Sequence, residues 1–362
     1  MQVATPSFLR HTHPLRLSDF EYEYPRDLIA QYPAEPRDAA RLMVVDRSSG
    51  AIEHRSVRDL PGYFDAGDVL VANDSMVYPA RLRGEKEKTG AKVEVLLLRE
   101  LNSETRLWDS IVDPARKVRV GNKLHFSDEL AAEVLDNTTS RGRTLRFIFD
   151  GTPDELYAAI DRVGETPIPP YLRRPAEPAD RVRYQTLFAR HRGGVAAPTA
   201  GLHFTPSLLN DITSRGAEVH TLTLHAGLGS FKTVEVEDLG KHNMTCESYR
   251  IPAETADAVN RALTSCTNTV TLCGTTVVRA AESSLSASQQ LKAGEGWTDK
   301  FIRPPYEFQI AERLLTNFHR PRSTLVMMVG AFAGMELMRH AYEEAIKQEY
   351  RLFSYGDAML IL

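Results

Sequence analysis

The chain has 362 residues, 42% of them hydrophobic and 25% charged, with a formal net charge of -4. That balance excludes a disordered or fibrous chain, and the length exceeds one ordinary hydrophobic core. No run approaches the ~20 apolar residues of a membrane helix, and a weakly acidic total means that any RNA binding needs a local basic face.

The opening MQVATPSFLRHTHPLRLSDF has no apolar stretch before a small-residue cleavage site, so residues 1–16 read as an N-terminal tail and not a signal peptide. RLMVVD, Ser48-Ser49-Gly50 and AIEHRSV predict a hairpin over 41–56, and DVLVAND predicts a buried strand ending in an Asn-Asp turn. Segment 76–152 changes character. KVEVLLLREL, WDSIVD, KLHF, AAEVLD and TLRFIFD are short strand candidates punctuated by glycines, which predicts a small antiparallel barrel or sandwich. Helix patterns return with PDELYAAIDRVG, which starts on Pro153 and stops at Gly164. A proline-rich connector follows, then a helix opened by Thr205-Pro206, the strand EVHTLTLHA, the helix ETADAVNRALTSC and the strand TVTLCG. The expected architecture is a layered α/β domain made of 17–75 and 153–362, with the β-rich unit 76–152 inserted.

Cys246, Cys266 and Cys273 form no CxxC pair, which argues for reduced thiols in the cytoplasm and against a disulfide framework. No His/Cys/Asp spacing matches a standard metal site. Two basic clusters stand out as candidate phosphate-binding faces: Arg173, Arg174, Arg181, Arg183, Arg190 and Arg192 in one segment, and Arg81, Arg83, Lys86, Lys88 and Lys92 followed by Arg116, Lys117, Arg119 and Lys123 in another. A solvated surface would explain either cluster alone.

Four segments carry candidate chemistry. GGVAAPTAGLHFTP places His203 beside small residues that permit close ligand approach. TLHAGLGSF puts His225 and the Gly227-Gly229 pair after a strand, but the following FKTVEVEDLG is no helix start, so a methyltransferase-type loop loses its context. TVTLCGTTVVRAAES runs a buried strand into Gly274, Thr275 and Thr276 at a helix start, an anion-binding arrangement; Arg279 and Glu282 sit one turn apart, where a simple intrahelical pair is the alternative. Asn317 and His319 precede Pro321, and Tyr355, Gly356 and Asp357 interrupt an apolar C-terminal run.

Taken together, DLIAQYPAEPRDAARLMVVDR, AAPTAGLHFT, TLHAGLG, GTTVVRAAES, TNFHRPRSTL and YRLFSYGDAMLI resemble, in order and from about Leu17 to Leu362, the S-adenosylmethionine:tRNA ribosyltransferase-isomerase family of queuosine biosynthesis. The resemblance implies an α/β domain interrupted by a barrel. It also implies a monomeric transferase that moves and isomerises the ribosyl part of S-adenosylmethionine onto 7-aminomethyl-7-deazaguanine in the anticodon region of tRNA, with no metal, membrane or protein partner. Under that implication His203 and His225 are acid–base candidates, since histidine titrates near neutrality. Glu247 and Asp357 would orient those rings or bind ribose hydroxyls. Arg279 with Gly274, Thr275 and Thr276 would hold the methionine carboxylate beside Gly227 and Gly229, and Tyr355 or Phe318 would face the sulfonium. Asn317 and His319 would read the base, and Arg81, Arg173 and Arg174 would meet RNA. Four positions depart from the family pattern: Met76 for an arginine, Thr245 for a histidine, Lys232-Thr233 for Arg-Pro, and Pro304-Pro305-Tyr306 for a Pro-Gly-Tyr turn. They raise the alternative of a diverged paralogue that binds RNA or S-adenosylmethionine with altered or no catalysis.

Overall fold

A computed structural model describes residues 15–227, 229 and 233–362. In chain order the first elements are β1 (Arg41–Val45), β2 (Ile52–Ser56), β3 (Val69–Asn73) and β4 (Ser75–Val77). The barrel strands follow: β5 (Arg81–Lys86), β6 (Lys92–Asn102), β7 (Leu107–Asp113), β8 (Lys123–His125), β9 (Ala131–Asn137) and β10 (Gly142–Ile148). Next come α1 (Pro153–Val163), α2 (Asp180–Arg183), β11 (His191–Gly194), α3 (Pro206–Ser214), β12 (Glu218–Leu224), β13 (Glu247–Ile251), α4 (Ala253–Thr264), β14 (Val270–Cys273) and α5 (Thr275–Ser283). The chain ends with β15 (Gly294–Thr298), β16 (Arg313–Asn317), α6 (Thr324–Ala333), α7 (Met335–Lys347) and β17 (Ala358–Ile361).

The expected hairpin forms between β1 and β2, and its turn is closed by Asp46, whose Oδ1 accepts the Ser48 and Ser49 N–H groups at 2.7 and 3.2 Å. Such an Asx turn is what an Asp-x-Ser stretch offers the backbone. These strands form one edge of a nine-stranded sheet in the order β15-β13-β12-β3-β14-β16-β17-β1-β2. Pairing is parallel from β12 through β3 and β14 to β16. Both faces are covered, so the central strands are apolar on alternate sides: Val69 and Val71 of β3 pack with α4 to α7, while Leu70 and Ala72 pack with α3.

The inserted unit is a closed antiparallel barrel, β10-β7-β6-β5-β8-β9, as the glycine-punctuated pattern predicts. Val93, Val95 and Leu97 alternate inward from β6, and α1 adds Leu156, Ala159 and Ile160 to the same core. Helix α1 starts on a capping box in which Thr152 Oγ1 accepts the Glu155 N–H and Glu155 accepts the Thr152 N–H at 2.7 Å. Arg81 and Glu165 exchange backbone hydrogen bonds, which fastens the barrel's first strand to the chain leaving α1. A short parallel ribbon of β4 and β11 completes the link to the large sheet.

Candidate active site

Because β12, β3, β14 and β16 run parallel, their carboxyl ends share one edge, and ligands of open α/β sheets bind outside that edge. Polar or small residues stop three of these strands there: Asn73 ends β3, Gly274 follows β14 and Asn317 ends β16. Asn73 cross-links three of the ends: its Nδ2 donates to Leu224 O (2.9 Å) and Thr276 Oγ1 (3.0 Å), and its Oδ1 accepts from the Ser75 and Leu224 N–H groups. At the end of β14 the chain turns directly into α5 through Gly274 at φ 101°, a left-handed backbone that favours glycine. A helix of nine residues so begins at the strand edge, with its first N–H groups lacking partners within the helix.

A cleft opens over this edge, walled by Gly274, Thr275, Thr276, Asn317, His319 and the Ala196–Ala200 segment. Ser323 lines it too and caps α6, its Oγ accepting the Val326 N–H at 3.2 Å. Two helix N-termini thus face one cleft, a field that favours an anionic group. Tyr171, Phe318 and Phe353 add aromatic walls. The cleft has a cavity volume of ≈ 60 Å³. A nucleoside-sized ligand therefore needs the cleft to widen.

Asn317 is the hub of the floor. Its Nδ2 donates to Phe353 O (3.1 Å) and approaches His203 Nε2 at 3.3 Å. A carbonyl partner fixes which amide atom is nitrogen, so His203 Nε2 accepts and its ring proton lies on Nδ1. The remaining atom, Asn317 Oδ1, is buried without a hydrogen-bond partner among the described residues, although Asn317 lines the cleft. Burying an acceptor that way costs about 1–3 kcal/mol unless a donor arrives.

Burial holds both neighbouring histidines neutral. His203 is pushed down to about 4 by desolvation, which outweighs the opposing pull of Asp357. His319 is pushed down to about 3 by desolvation, and its Nε2 meets Thr316 Oγ1 at 2.7 Å. A histidine whose folded value lies below its unfolded one stabilises the fold fully above the unfolded value, and that contribution is lost as pH falls through the window toward the folded value. Between roughly pH 6.5 and pH 4, stability should therefore drop with acid, by about 2 kcal/mol per histidine at pH 5. Urea unfolding at pH 7.5 and pH 5 checks this: His203→Gln should narrow the difference between the two pH values by about that amount.

Of the residues singled out in the sequence, Gly274, Thr275, Thr276, Asn317 and His319 come together at the cleft. Others do not. His203 lies behind Asn317. His225 sits on the β4–β11 ribbon, its Nδ1 2.9 Å from Ser75 Oγ, and a Cβ on Gly193 would come within 2.8 Å of its ring. Burial first, and the neighbouring His191 second, lower its proton affinity.

Several expected roles are corrected. Arg279 is 6% exposed and pairs with Glu247, not with Glu282, and its charge is spent there and not on a carboxylate in the cleft. Glu282 instead accepts the Ile310 and Ala311 N–H groups and the Tyr306 hydroxyl. Among the described residues Glu247 orients no histidine; besides Arg279 it accepts the Gly227 N–H at 2.6 Å. Asp357 holds the Arg41 and Arg351 N–H groups and the Arg351 guanidinium. Tyr355 is buried and donates to Asp180, so it faces no cleft. Arg174 is turned inward onto the same Asp180 at 2.7 Å, and Arg81 is half-buried beside Glu94, which leaves Arg173 as the exposed member of that trio. Gly229 lies beside Thr245, whereas Lys232 and residues 1–14 lie outside the described residues; 233–237 carry no helix.

Reasoning from sequence missed Asn73, Thr316 and Ser323. The Asn-Asp turn after DVLVA and the Arg-Pro-Arg-Ser-Thr helix start were visible signals for the first and last, while nothing local marks Thr316. Among the described residues no group of three His, Cys, Asp or Glu is arranged to hold a metal, and no helix is long and apolar enough to cross a membrane.

A mixed sheet with a parallel centre, helices on both faces and a cleft on the carboxyl edge of its parallel strands, together with a closed antiparallel barrel, defines a mixed α/β protein. The sequence profile described as queuosine biosynthesis protein matches residues 17–361, and the chain belongs to that family. It is 56% identical over 349 residues to the S-adenosylmethionine:tRNA ribosyltransferase-isomerase of Cytophaga hutchinsonii, covering 96% of this chain and all of that one. The enzyme of the same name from Flavobacterium psychrophilum is 54% identical over 350 residues, again with 96% and 100% coverage. The crystal structure of S-adenosylmethionine tRNA ribosyltransferase from Thermotoga maritima matches with a TM-score of 0.53 at 36% identity, over 95% of this chain and 100% of that one.

Proposed function

We propose that this chain transfers and isomerises the ribosyl part of S-adenosylmethionine onto 7-aminomethyl-7-deazaguanine in the anticodon region of tRNA, giving epoxyqueuosine with release of adenine and methionine. The observation that carries this reading is the full-length likeness to enzymes of that name, without gaps at either end of the relatives. The same reading has the enzyme act in the cytoplasm, as a monomer and without a metal.

The cleft's chemistry suits the co-substrate. Thr275 and Thr276 at the α5 N-terminus offer N–H and hydroxyl donors to a carboxylate. Asn317 Oδ1 offers its unused lone pairs to an amino or ammonium N–H. The rings of Tyr171, Phe318 and Phe353 suit a sulfonium. S-adenosylmethionine supplies the ribosyl unit and a positive sulfur that acidifies the neighbouring C–H. His319, neutral by burial and part of the cleft wall, is the group we assign to accept that proton. His203 supports Asn317 from behind and acts as a positioning residue. His225, on Ser75 and next in the chain to the cleft-lining Ala226, remains the second acid–base group.

Of the departures from the family pattern, Thr233 lines the cleft, Met76 lines a separate cavity and Thr245 is exposed. A single-turnover incubation with S-adenosylmethionine and tRNA carrying the aminomethyl-deazaguanine tests the reading. Nucleoside mass spectrometry should find epoxyqueuosine with one adenine released per base converted. An unchanged acceptor in the presence of bound S-adenosylmethionine would favour the paralogue.

A further inference from the structure

A second cavity, ≈ 200 Å³, lies where the β4–β11 ribbon meets the end of α1 and the segment after α2. It shares one wall with the cleft, the ring of Tyr184. Its polar lining is unusual. Arg192 reaches into it from β11 with its guanidinium 4.7 Å from the Tyr78 ring centroid and 5.5 Å from that of Tyr157. One end of that guanidinium is held by Asp161 at 2.8 Å, but the other nitrogen, Nη2, is buried with no hydrogen-bond partner among the described residues. Arg181 lines the same space and uses one nitrogen to cap the carbonyls of Asp161 and Gly164 at the end of α1. Asp161 is the single acid in the lining, so two guanidinium groups face one carboxylate.

A half-buried guanidinium, stacked, oriented at one end and unpaired at the other, is a pre-organised anion receptor. Position narrows the anion. Arg192 is four residues before Ala196, which lines the cleft, a separation of at most about 13 Å along an extended strand. That bound, with the Tyr184 wall shared by the two cavities, puts an anion bound at Arg192 in the neighbourhood of a base in the cleft. Single-stranded RNA loops are recognised in this way, by splayed bases beside arginine-held phosphates.

We infer that this second cavity is a phosphate subsite for the RNA nucleotide adjoining the reacting base, with Arg192 as its anion-binding group. The inference rests on the RNA-acceptor reading proposed above. The barrel's exposed Arg116, Lys117 and Arg119 can add general attraction, but none of them adjoins the cleft.

The test is fluorescence anisotropy of labelled anticodon stem-loop RNA bound to the full chain, run across salt concentrations, with S-adenosylmethionine affinity measured alongside by calorimetry. Arg192→Ala should weaken RNA binding about tenfold and flatten the salt slope by about 0.7–0.9, with S-adenosylmethionine affinity unchanged. Met76→Trp, which fills the cavity and leaves Arg192 in place, should weaken RNA binding to a similar degree. A wild-type RNA affinity and salt slope in Arg192→Ala would overturn the subsite; if that variant loses S-adenosylmethionine binding as well, wild-type RNA affinity in Met76→Trp overturns it. Because the readout needs no turnover, it separates from the reaction itself. A wild-type chain that makes no epoxyqueuosine while Arg192→Ala loses RNA affinity would sink the proposed reaction and leave the subsite standing.

Discussion

Replacing Arg279 by Ala should lower the stability of the fold by about 3–5 kcal/mol, the largest single-residue loss expected outside the apolar core. Arg279 is 6% exposed and Glu247 4%, and the two form a short ion pair between α5 and the start of β13. Arg279 also donates to Thr298 O at 3.2 Å, while Glu247 takes the Gly227 N–H. One pair therefore ties a helix, two strands and the loop after β12. Truncating the arginine leaves a carboxylate buried without its countercharge, and the cost is that of the stranded charge more than of the lost contact. Glu247→Gln should cost less, since the amide oxygen still accepts from Gly227. The double variant Glu247→Gln/Arg279→Met should recover much of the loss. Urea unfolding of the three proteins at pH 7.5 reads this directly. A loss below about 1 kcal/mol for Arg279→Ala would place the pair with ordinary surface ion pairs. The cleft should feel the same change: α5 begins at Thr275, one turn before Arg279, so a loosened helix weakens S-adenosylmethionine binding as well.

Replacing His319 by Asn should reduce turnover about 10²–10⁴-fold while S-adenosylmethionine affinity stays within a few fold. The imidazole lines the cleft beside Thr316, and its backbone is clamped by the hydroxyls of Tyr342 and Tyr22. That framework outlasts the substitution, so a loss of rate with binding intact isolates proton transfer. The wild-type pH profile adds a second readout. Burial pushes His319 down to about 3, so its proton-accepting form persists well below the usual histidine range. The wild-type rate should accordingly show no acid limb from this group near pH 6.5. A rate deficit under tenfold in His319→Asn would move the base to His225, whose Ser75 partner makes it the next candidate.

Local chemistry made some of the molecule legible before folding. The helix start at Pro153, the hairpin turn over Ser48-Ser49-Gly50 and the glycine at the β14–α5 turn act within a few residues, so they stand in the sequence as in the fold, where a capping box at Thr152 and an Asx turn at Asp46 complete the first two. The barrel was legible for the same reason: period-two patterns and turn glycines repeat over short strands. The site was legible only where it coincides with a strand end, as at Gly274 to Thr276 and at Asn317 and His319. It failed where a side chain chooses a partner across the fold. Arg279 passes over Glu282, three residues on, for Glu247, which is 32 residues before it. Arg174 abandons the surface for Asp180, and His203 falls behind Asn317 instead of beside a ligand. Sequence by itself determined which elements form, where they stop, and that small and polar residues gather at the stops. Only the tertiary structure decided which polar groups face the cleft and which neutralise one another inside, because a buried charge is placed by the nearest available countercharge in space, and sheet order sets that neighbour.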